Sequence, residues 1–430
     1  MSRAAWRTPV CELLGIEVPI FGFSHSPEVV AAIARGGGCG VLGVARELPD
    51  VIPGLIAGLR EAVGDAPIVV DLMLPAGMPA DAAEAEAGRA ALPAAHRAFV
   101  DGLRRRWDVP VATRPNFFST TVRTRALFAE QVDAVLAADV DAVATAVGLP
   151  PEVLARVRAG GRTTIALVGT PRHARAALAA GAQVLVAQGY DAGGHTGTIG
   201  TMSLVPQVVA LAGDVPVIAA GGIACGAQVA AALAMGAQGA WLGTVWLGAT
   251  EARLHPALLA KLVAAGSEDT TITRAHSGKP CRVVRSAWSD AWDEPDAPEP
   301  LAMPWQHALT GELLAAIEEH GVAEPMYEAA GQSVAWLRGA EPAAEILGRL
   351  VRETDAALAR LAPGGARLAP DAASPAARPA SAAPAAPAAP AAPTAPAAPT
   401  APAAPDAAPF RAPPDPPAHR TDRRHRGDLR

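Results

Sequence analysis

Between Val18 and Thr244 a short, mainly apolar run recurs eight times, and each run is followed by a break and a longer segment of mixed polarity. The runs cover residues 18–23, 39–43, 67–73, 142–147, 163–168, 184–187, 215–223 and 239–244. Runs this short, with little polar alternation, suit strands buried on both faces, as in a parallel sheet. The segments between them read as helices. Ser26 and Pro27 mark one helix start, as N-cap and first helical residue, ahead of 28–34. Others are expected over 50–63, 93–107, 121–136, 151–159, 171–180 and 227–235, with a closing helix over 249–265. Strand–helix alternation predicts the α/β class, and eight repeats predict a closed (β/α)8 barrel.

The chain has 430 residues, enough for one barrel of roughly 250 residues with additions. Half the residues are apolar but only 4% are aromatic, so Ala, Val, Leu and Ile must build the core. The formal net charge of −6 gives no electrostatic reason to expect nucleic-acid binding. Cys11, Cys39, Cys225 and Cys281 are widely spaced and indicate neither a disulfide framework nor a zinc site, so a reducing cytoplasm is the default. No apolar run of about 18 residues has the make-up of a membrane span. The sequence leaves the oligomeric state open, a homodimer included.

Three regions exceed a minimal barrel. Residues 76–130 form an insertion after the third strand, placed to act as a lid or pocket wall, with Arg114-Pro115-Asn116-Phe117-Phe118 in a loop. Residues 266–350 extend the barrel domain (10–265) and should pack on it, largely helical from Trp305 to Leu350. From 363 to 430 the chain is an Ala/Pro tract without apolar periodicity, expected to be disordered and partly polyproline II. Its arginine-rich end reads as a solvated tail.

The chemistry concentrates where apolar runs meet glycine. Val186-Ala187-Gln188-Gly189-Tyr190-Asp191-Ala192-Gly193-Gly194-His195-Thr196-Gly197 turns from a buried strand into a glycine-dense loop holding one imidazole. Glycines let the main chain approach a ligand, and histidine suits proton transfer near neutrality. Gly221-Gly222 and Gly243-Thr244 end the last two runs, where an α/β barrel offers main-chain amides facing a helix start to a phosphate. His25, at the end of the first run, reads as a cap or core histidine ahead of a site residue. Trp241 and Trp246 read as packing. The other histidines lack ligand spacing, so no metal is expected.

Gln188-Gly189-x-Asp-Ala-Gly-Gly-His195, then Ala219-Ala220-Gly221-Gly222-Ile223, then Gly243-Thr244, closely resembles the nitronate monooxygenase (2-nitropropane dioxygenase) family of FMN-dependent TIM-barrel flavoenzymes. The resemblance runs from about Pro19 to about Trp292. It implies FMN, with the phosphate on Gly221, Gly222, Gly243 and Thr244, and flavin contacts from Gln188, Gly193, Gly194 and Asp71. The family commonly has Asn at the position of Asp71, and a carboxylate there can donate a hydrogen bond only if protonated. Many members carry Pro-Met in the first strand, where this chain offers the backbone of Gly22 and Phe23. His195 matches the catalytic histidine, a base for the α-proton of a nitroalkane or a donor that orients the nitronate. The implied activity is oxidation of alkyl nitronates by O2 to carbonyl compound and nitrite. An FMN-dependent NAD(P)H reductase of the enoyl-acyl-carrier-protein or quinone type is the alternative. A flavin-binding protein of little turnover, whose tail recruits partners, is a third reading.

Overall fold

The computed structural model describes residues 6–73, 75–148 and 150–362; the Ala/Pro tail at 363–430 lies outside the described residues. In chain order the strands are β1 (Ile20–Ser24), β2 (Cys39–Gly43), β3 (Ile68–Met73), β4 (Ala142–Ala146), β5 (Thr163–Val168), β6 (Val184–Gln188), β7 (Gly194–His195), β8 (Val217–Ala220), β9 (Gly239–Leu242), β10 (Thr270–Thr273) and β11 (Cys281–Val284). Parallel pairing runs from β1 through β6, then β8 and β9, and β9 returns to β1 to close the barrel. This is the eight-stranded α/β barrel that the alternation predicts.

Side chains in a strand alternate between faces, so each barrel strand feeds two separate cores. Phe21, Val41, Val69, Ala144, Ile165, Val186, Ile218 and Trp241 point inward and pack with Val10, Cys11 and Leu14 of the N-terminal helix Pro9–Leu14. Leu42, Val70, Leu72 and Val143 point outward against the helical layer on one side, and Leu185, Ala187, Ala219 and Ala240 do so on the other. The interior is therefore plugged at the N-terminal end of the strands. Toward the other end the next inward positions are Phe23, Gly43, Asp71, Ala146, Leu167 and Gln188, and these are left without a partner layer of their own.

Several boundaries depart from the sequence reading, each for a local reason. β1 begins at Ile20, because the amides of Glu17 and Val18 are both taken by the carbonyl of Gly37 in a turn. In place of one closing helix over 249–265 there are two 3-10 turns, Thr244–Gly248 and Thr250–Ala252, and then the helix Pro256–Ala264. Pro256 has no amide hydrogen and holds His255 extended, so a helix can start there but not run through. The region expected to be largely helical up to Leu350 is broken by Gly321, Gly331, Gly339 and Pro342. Helix Trp305–Glu319, the 3-10 turn Gln332–Trp336 and helix Ala343–Leu361 remain. The Arg114–Phe118 stretch, expected as loop, enters a one-turn helix, Phe117–Thr120, whose N-cap Asn116 and Ser119 bond each other's backbone amides.

Insertion and extension pack together over one side of the barrel. Val100, Leu103 and Trp107 share a core with Leu262, Trp288, Leu313 and Ile317. Helix Trp305–Glu319 lies so close to the insertion that a Cβ on Gly311 would meet the carbonyl oxygen of Phe118 at 2.1 Å. β10 and β11 reach back as an antiparallel ribbon whose edge pairs with β7, Cys281 opposite His195. Helix Ala343–Leu361 lies across the start of helix Gly226–Ala234, where Glu353 accepts from the Gly226 amide at 2.9 Å. Among the described residues no helix is long and apolar enough to cross a membrane.

The last contact is open to a direct test. A methyl on Gly226 would stand 2.1 Å from the Thr354 amide nitrogen. Gly226→Ala is expected to cost about 1–3 kcal/mol and to lower the thermal midpoint by roughly 1–4 °C. Differential scanning fluorimetry with limited proteolysis of the C-terminal helix checks this, and an unchanged midpoint would mean that the contact carries no stability.

Candidate active site

The unpartnered inward layer opens into a cavity of about 510 Å³ at the C-terminal mouth of the barrel. Phe23, Asp71, Gln188, Gly193, Gly194, His195, Gly221, Gly222, Gly243 and Thr244 all line it, so strand ends scattered over more than two hundred positions share one space. Gly22 is the exception. It has the outward parity of β1, and a Cβ on it would strike Ile33 at 2.3 Å and Trp246 at 2.9 Å, which puts it against the helical layer.

On the β8–β9 side the wall is main chain. Gly221 and Gly222 take φ of +104° and +73°, a region that only glycine enters cheaply. At Gly221 space forbids a side chain as well, since a Cβ would sit 2.7 Å from Thr201 Oγ1. Among the described residues the amides of Gly221, Gly222, Gly243 and Thr244 meet no acceptor. The helix that follows β8 is different. Gln228 Oε1 accepts from Ala224 and Cys225, and Glu353 accepts from Gly226, so its first amides are already satisfied. Past Gly243 the chain enters a 3-10 turn. The amides free to receive an anion thus belong to the glycine-ended strand ends, while the first amides of the helix after β8 are already taken. Thr244 Oγ1 also accepts from the Gly331 amide at 2.9 Å, which ties the extension to this rim.

His195 is clamped from three directions. As half of β7 it pairs with Cys281, so it sits in a short strand where the sequence suggested a loop. Its carbonyl accepts from Gln188 Nε2 at 2.8 Å, and its Nε2 lies 2.7 Å from the Oγ of fully buried Ser277. Burial, reinforced by the charges of Arg123, Lys279 and Arg46, pushes the imidazole down to about 4. At neutral pH it is therefore uncharged.

Asp71 lies on the inward face of β3, 7% exposed, and its Oδ1 has no hydrogen-bond partner among the described residues. Burial pushes its carboxyl up to about 8, so it carries its proton at pH 7 and can donate as an amide would. The proviso attached to this position in the sequence is thereby met.

Other residues of the cavity are not assigned to it by the sequence, in which His25 reads as a cap or core histidine. His25 lies open to it, with Nδ1 2.8 Å from the Gly43 carbonyl, and its imidazole is held low by the surrounding protein and by Arg46. His276 and His307 pack edge to face with ring centroids 5.3 Å apart, and His276 Nδ1 lies 2.9 Å from the Tyr327 hydroxyl. Burial holds both imidazoles well below their usual range. The insertion adds Asn116, Phe118 and Arg123, and the turn after β2 adds Arg46. His25 and Arg46 follow β1 and β2, whereas only the folding of insertion and extension over the mouth brings in the others. Trp241 and Trp246 also line the cavity, Trp241 stacked on Phe23 at 6.3 Å and the buried Trp246 indole donating to the Leu242 carbonyl.

The profile of the nitronate monooxygenase family matches residues 8–353, most of the chain and all of the barrel. The chain belongs to the nitronate monooxygenase family. Members of this family are flavin-dependent monooxygenases, and this protein is an enzyme of that kind. It is 42% identical over 71% of its length to Rv1533 of Mycobacterium tuberculosis, which carries the provisional description of a monooxygenase and is covered over 84%. It is 32% identical to the nitronate monooxygenase of Paraburkholderia phytofirmans, over 84% of this chain and 99% of that one. Among solved structures, nitroalkane oxidase from Streptomyces ansochromogenes superposes with a TM-score of 0.70 at 30% identity, over 83% of this chain and all of that one. FabK from Thermotoga maritima superposes with a TM-score of 0.64 at 27% identity, over 83% and 98%.

The protonated state of Asp71 in this nitronate monooxygenase family member has a thermodynamic consequence. The folded carboxyl titrates near 8 and the unfolded one near 3.8, so the folded state holds the extra proton between those values. Its contribution to stability is present below about pH 4 and is lost as pH rises toward 8. Asp71→Asn removes that dependence. The thermal midpoint of the variant minus that of the native protein is expected to grow from pH 4 to pH 8 and level off above. A difference that is flat with pH would show that Asp71 ionises in the fold as it does in water.

Proposed function

We propose that the protein binds FMN across the barrel mouth and oxidises alkyl nitronates with O2 to carbonyl compound and nitrite. The observation that carries this reading is that His195 overhangs the same cavity into which the unbonded amides of Gly221, Gly222, Gly243 and Thr244 open. Those amides, with the Thr244 hydroxyl, suit a phosphate dianion. Asp71 and Gln188, on the inward faces of β3 and β6, would meet a flavin ring laid over the mouth, with Phe23, Gly193 and Gly194 around it. A buried carboxylic acid with a free oxygen is chemically suited to the polar edge of that ring, which needs both donors and acceptors. When bound, FMN would supply the redox chemistry, taking electrons from the substrate and passing them to O2.

The residues of this chain hold and orient the substrate. His195 is uncharged and weakly basic in its surroundings. Such an imidazole is poorly matched to removing a carbon-bound proton from a neutral nitroalkane, because a general base works best with a pKa near the working pH. It is well suited to donate a hydrogen bond to a nitronate oxygen. Arg46, Arg123 and Lys279, the charges that depress it, favour an anion beside it. These features support the nitronate as substrate over the neutral nitroalkane. Ser277 holds the imidazole and Gln188 the His195 main chain, and Phe118 and His307 stack as a lid wall against water.

The likeness to FabK keeps an NAD(P)H-dependent reductase as the second reading. Purified protein is expected to be yellow, to release FMN on denaturation, and to consume oxygen with ethylnitronate in air without NADH. Rapid bleaching of the flavin by NADH with no response to the nitronate would favour the reductase. For His195→Asn, kcat/KM toward ethylnitronate is expected to fall about 10–100-fold, the worth of a hydrogen bond to a charged group. Unchanged kcat/KM would remove His195 from the substrate's path.

A further inference from the structure

The turn that joins β10 to β11 carries two consecutive residues to the side of the mouth where His195 hangs. Ser277 meets Nε2 of His195 at 2.7 Å. The residue before it, His276, lines the cavity with its ring centroid 6.3 Å from that of His195. The turn is held on both sides. The Gly278 amide donates to the Arg274 carbonyl at 2.7 Å, and the Ala275 carbonyl accepts from Gln306 Nε2 at 3.1 Å.

His276 Nδ1 lies 2.9 Å from the hydroxyl of Tyr327, whose ring is stacked on fully buried Trp288. Burial pushes that hydroxyl well above its usual range, so it keeps its proton. The hydroxyl has no other partner among the described residues. Were it to accept from Nδ1, its own proton would go unbonded, so it donates to Nδ1 instead. Burial holds the imidazole uncharged, helped by His195 and by Arg46 and Arg123, which make no salt bridge among the described residues. A neutral imidazole has one N–H, and here it is on Nε2.

Each of the two rings is thus tied by one nitrogen, and His195 Nδ1 and His276 Nε2 have no hydrogen-bond partner among the described residues. An N–H left unbonded in a low-dielectric wall costs free energy. Packing does not call for it. His276 meets His307 and Tyr327 edge to face, at 5.3 and 5.6 Å between ring centroids, and a phenyl ring could make the same contacts. What the imidazole adds is a second donor beside the first. A nitronate spreads its charge over two oxygens of one planar group, so two donors on adjacent rings can take one oxygen each. An enoyl thioester, the reacting group of the reductase alternative, offers a single carbonyl oxygen.

We propose that His276, held by Tyr327, is a second hydrogen-bond donor to the substrate, and that it and His195 clamp the two oxygens of one nitronate group. This rests on the nitronate-oxidising function proposed above and adds to it a catalytic residue, His276, and a positioning residue, Tyr327.

The experiment compares His276→Phe, His276→Gln and Tyr327→Phe with the native holoenzyme. Oxygen uptake with ethylnitronate reads turnover, and titration calorimetry with propanoate, a two-oxygen anion of similar shape, reads binding without turnover. His276→Phe is expected to lower kcat/KM and propanoate affinity each about tenfold, and His276→Gln, which keeps an N–H at similar reach, to restore most of both. Tyr327→Phe is expected to cost about three- to tenfold, and nothing further in the His276→Phe background, because it acts through His276. Additive losses in the double variant overturn that role for Tyr327. Unchanged kcat/KM and propanoate affinity in His276→Phe overturn the clamp and leave the oxidation reading standing. Weaker FMN binding with full turnover after reloading overturns it too, and sets the imidazole against the flavin. The native protein supplies a check that needs no variant to fold: with 15N-labelled histidine, the His276 ring hydrogen is expected on Nε2, and a hydrogen on Nδ1 overturns the proposal. If no nitronate is oxidised but propanoate binding follows the expected pattern, the oxidation reading fails and the two-donor site stands.

Discussion

Period-two alternation in a closed parallel sheet is the constraint on which the rest of this structure depends. Every second side chain of eight strands is forced into one interior, and that interior is filled only from the N-terminal end, by Phe21, Val41, Val69, Val186 and their neighbours on the helix Pro9–Leu14. The inward residues toward the C-terminal ends of the strands then have nowhere to pack except against whatever covers the mouth. Phe23, Asp71 and Gln188 are at the mouth for this reason, and Gly22, one position off in parity, is not. A shift of one residue in β1 would exchange the two.

The cover over that mouth is assembled from distant chain. The insertion after β3 supplies Phe118 and Arg123, and the extension supplies Ser277, His276, His307 and Tyr327. They are held by close backbone contacts, with Gly311 against Phe118 and Gly193 against Ala330 and Gly331. The resulting space is dry enough to keep a carboxyl protonated and four imidazoles uncharged, yet it keeps two guanidiniums. A site of that character favours an anionic substrate over a neutral one, since an incoming anion gains from cations that the protein leaves unpaired.

The two halves of the site differ in kind. On the β8–β9 side the functional atoms are main-chain amides, presented after β8 by Gly221 and Gly222, whose positive φ disfavours other residues. On the insertion side they are side chains, positioned by packing between segments far apart in sequence. The first half tolerates little substitution because geometry is at stake. The second can change its charge and shape while the barrel stays intact, which suits a wall that sets substrate preference.

How much was legible follows from the same division. Apolar runs ending in Gly221-Gly222 and Gly243-Thr244, and the glycine loop before His195, are local patterns, so the barrel, its mouth and its one overhanging imidazole could be read from spacing and residue type. Asp71 could be placed but not its protonation, because that depends on burial contributed by neighbouring strands. His195 could be chosen, but not its clamp, since Ser277 and Cys281 lie more than eighty residues downstream. His276, His307, Arg46 and Arg123 carry no local pattern, and a buried arginine looks in sequence like any exposed one. The order of the residues determined the alternation and the strand ends, for those are interactions within a few positions of chain. Only the tertiary structure decided which charges lost their water and which groups met across the mouth, for burial is a property of the whole packed molecule.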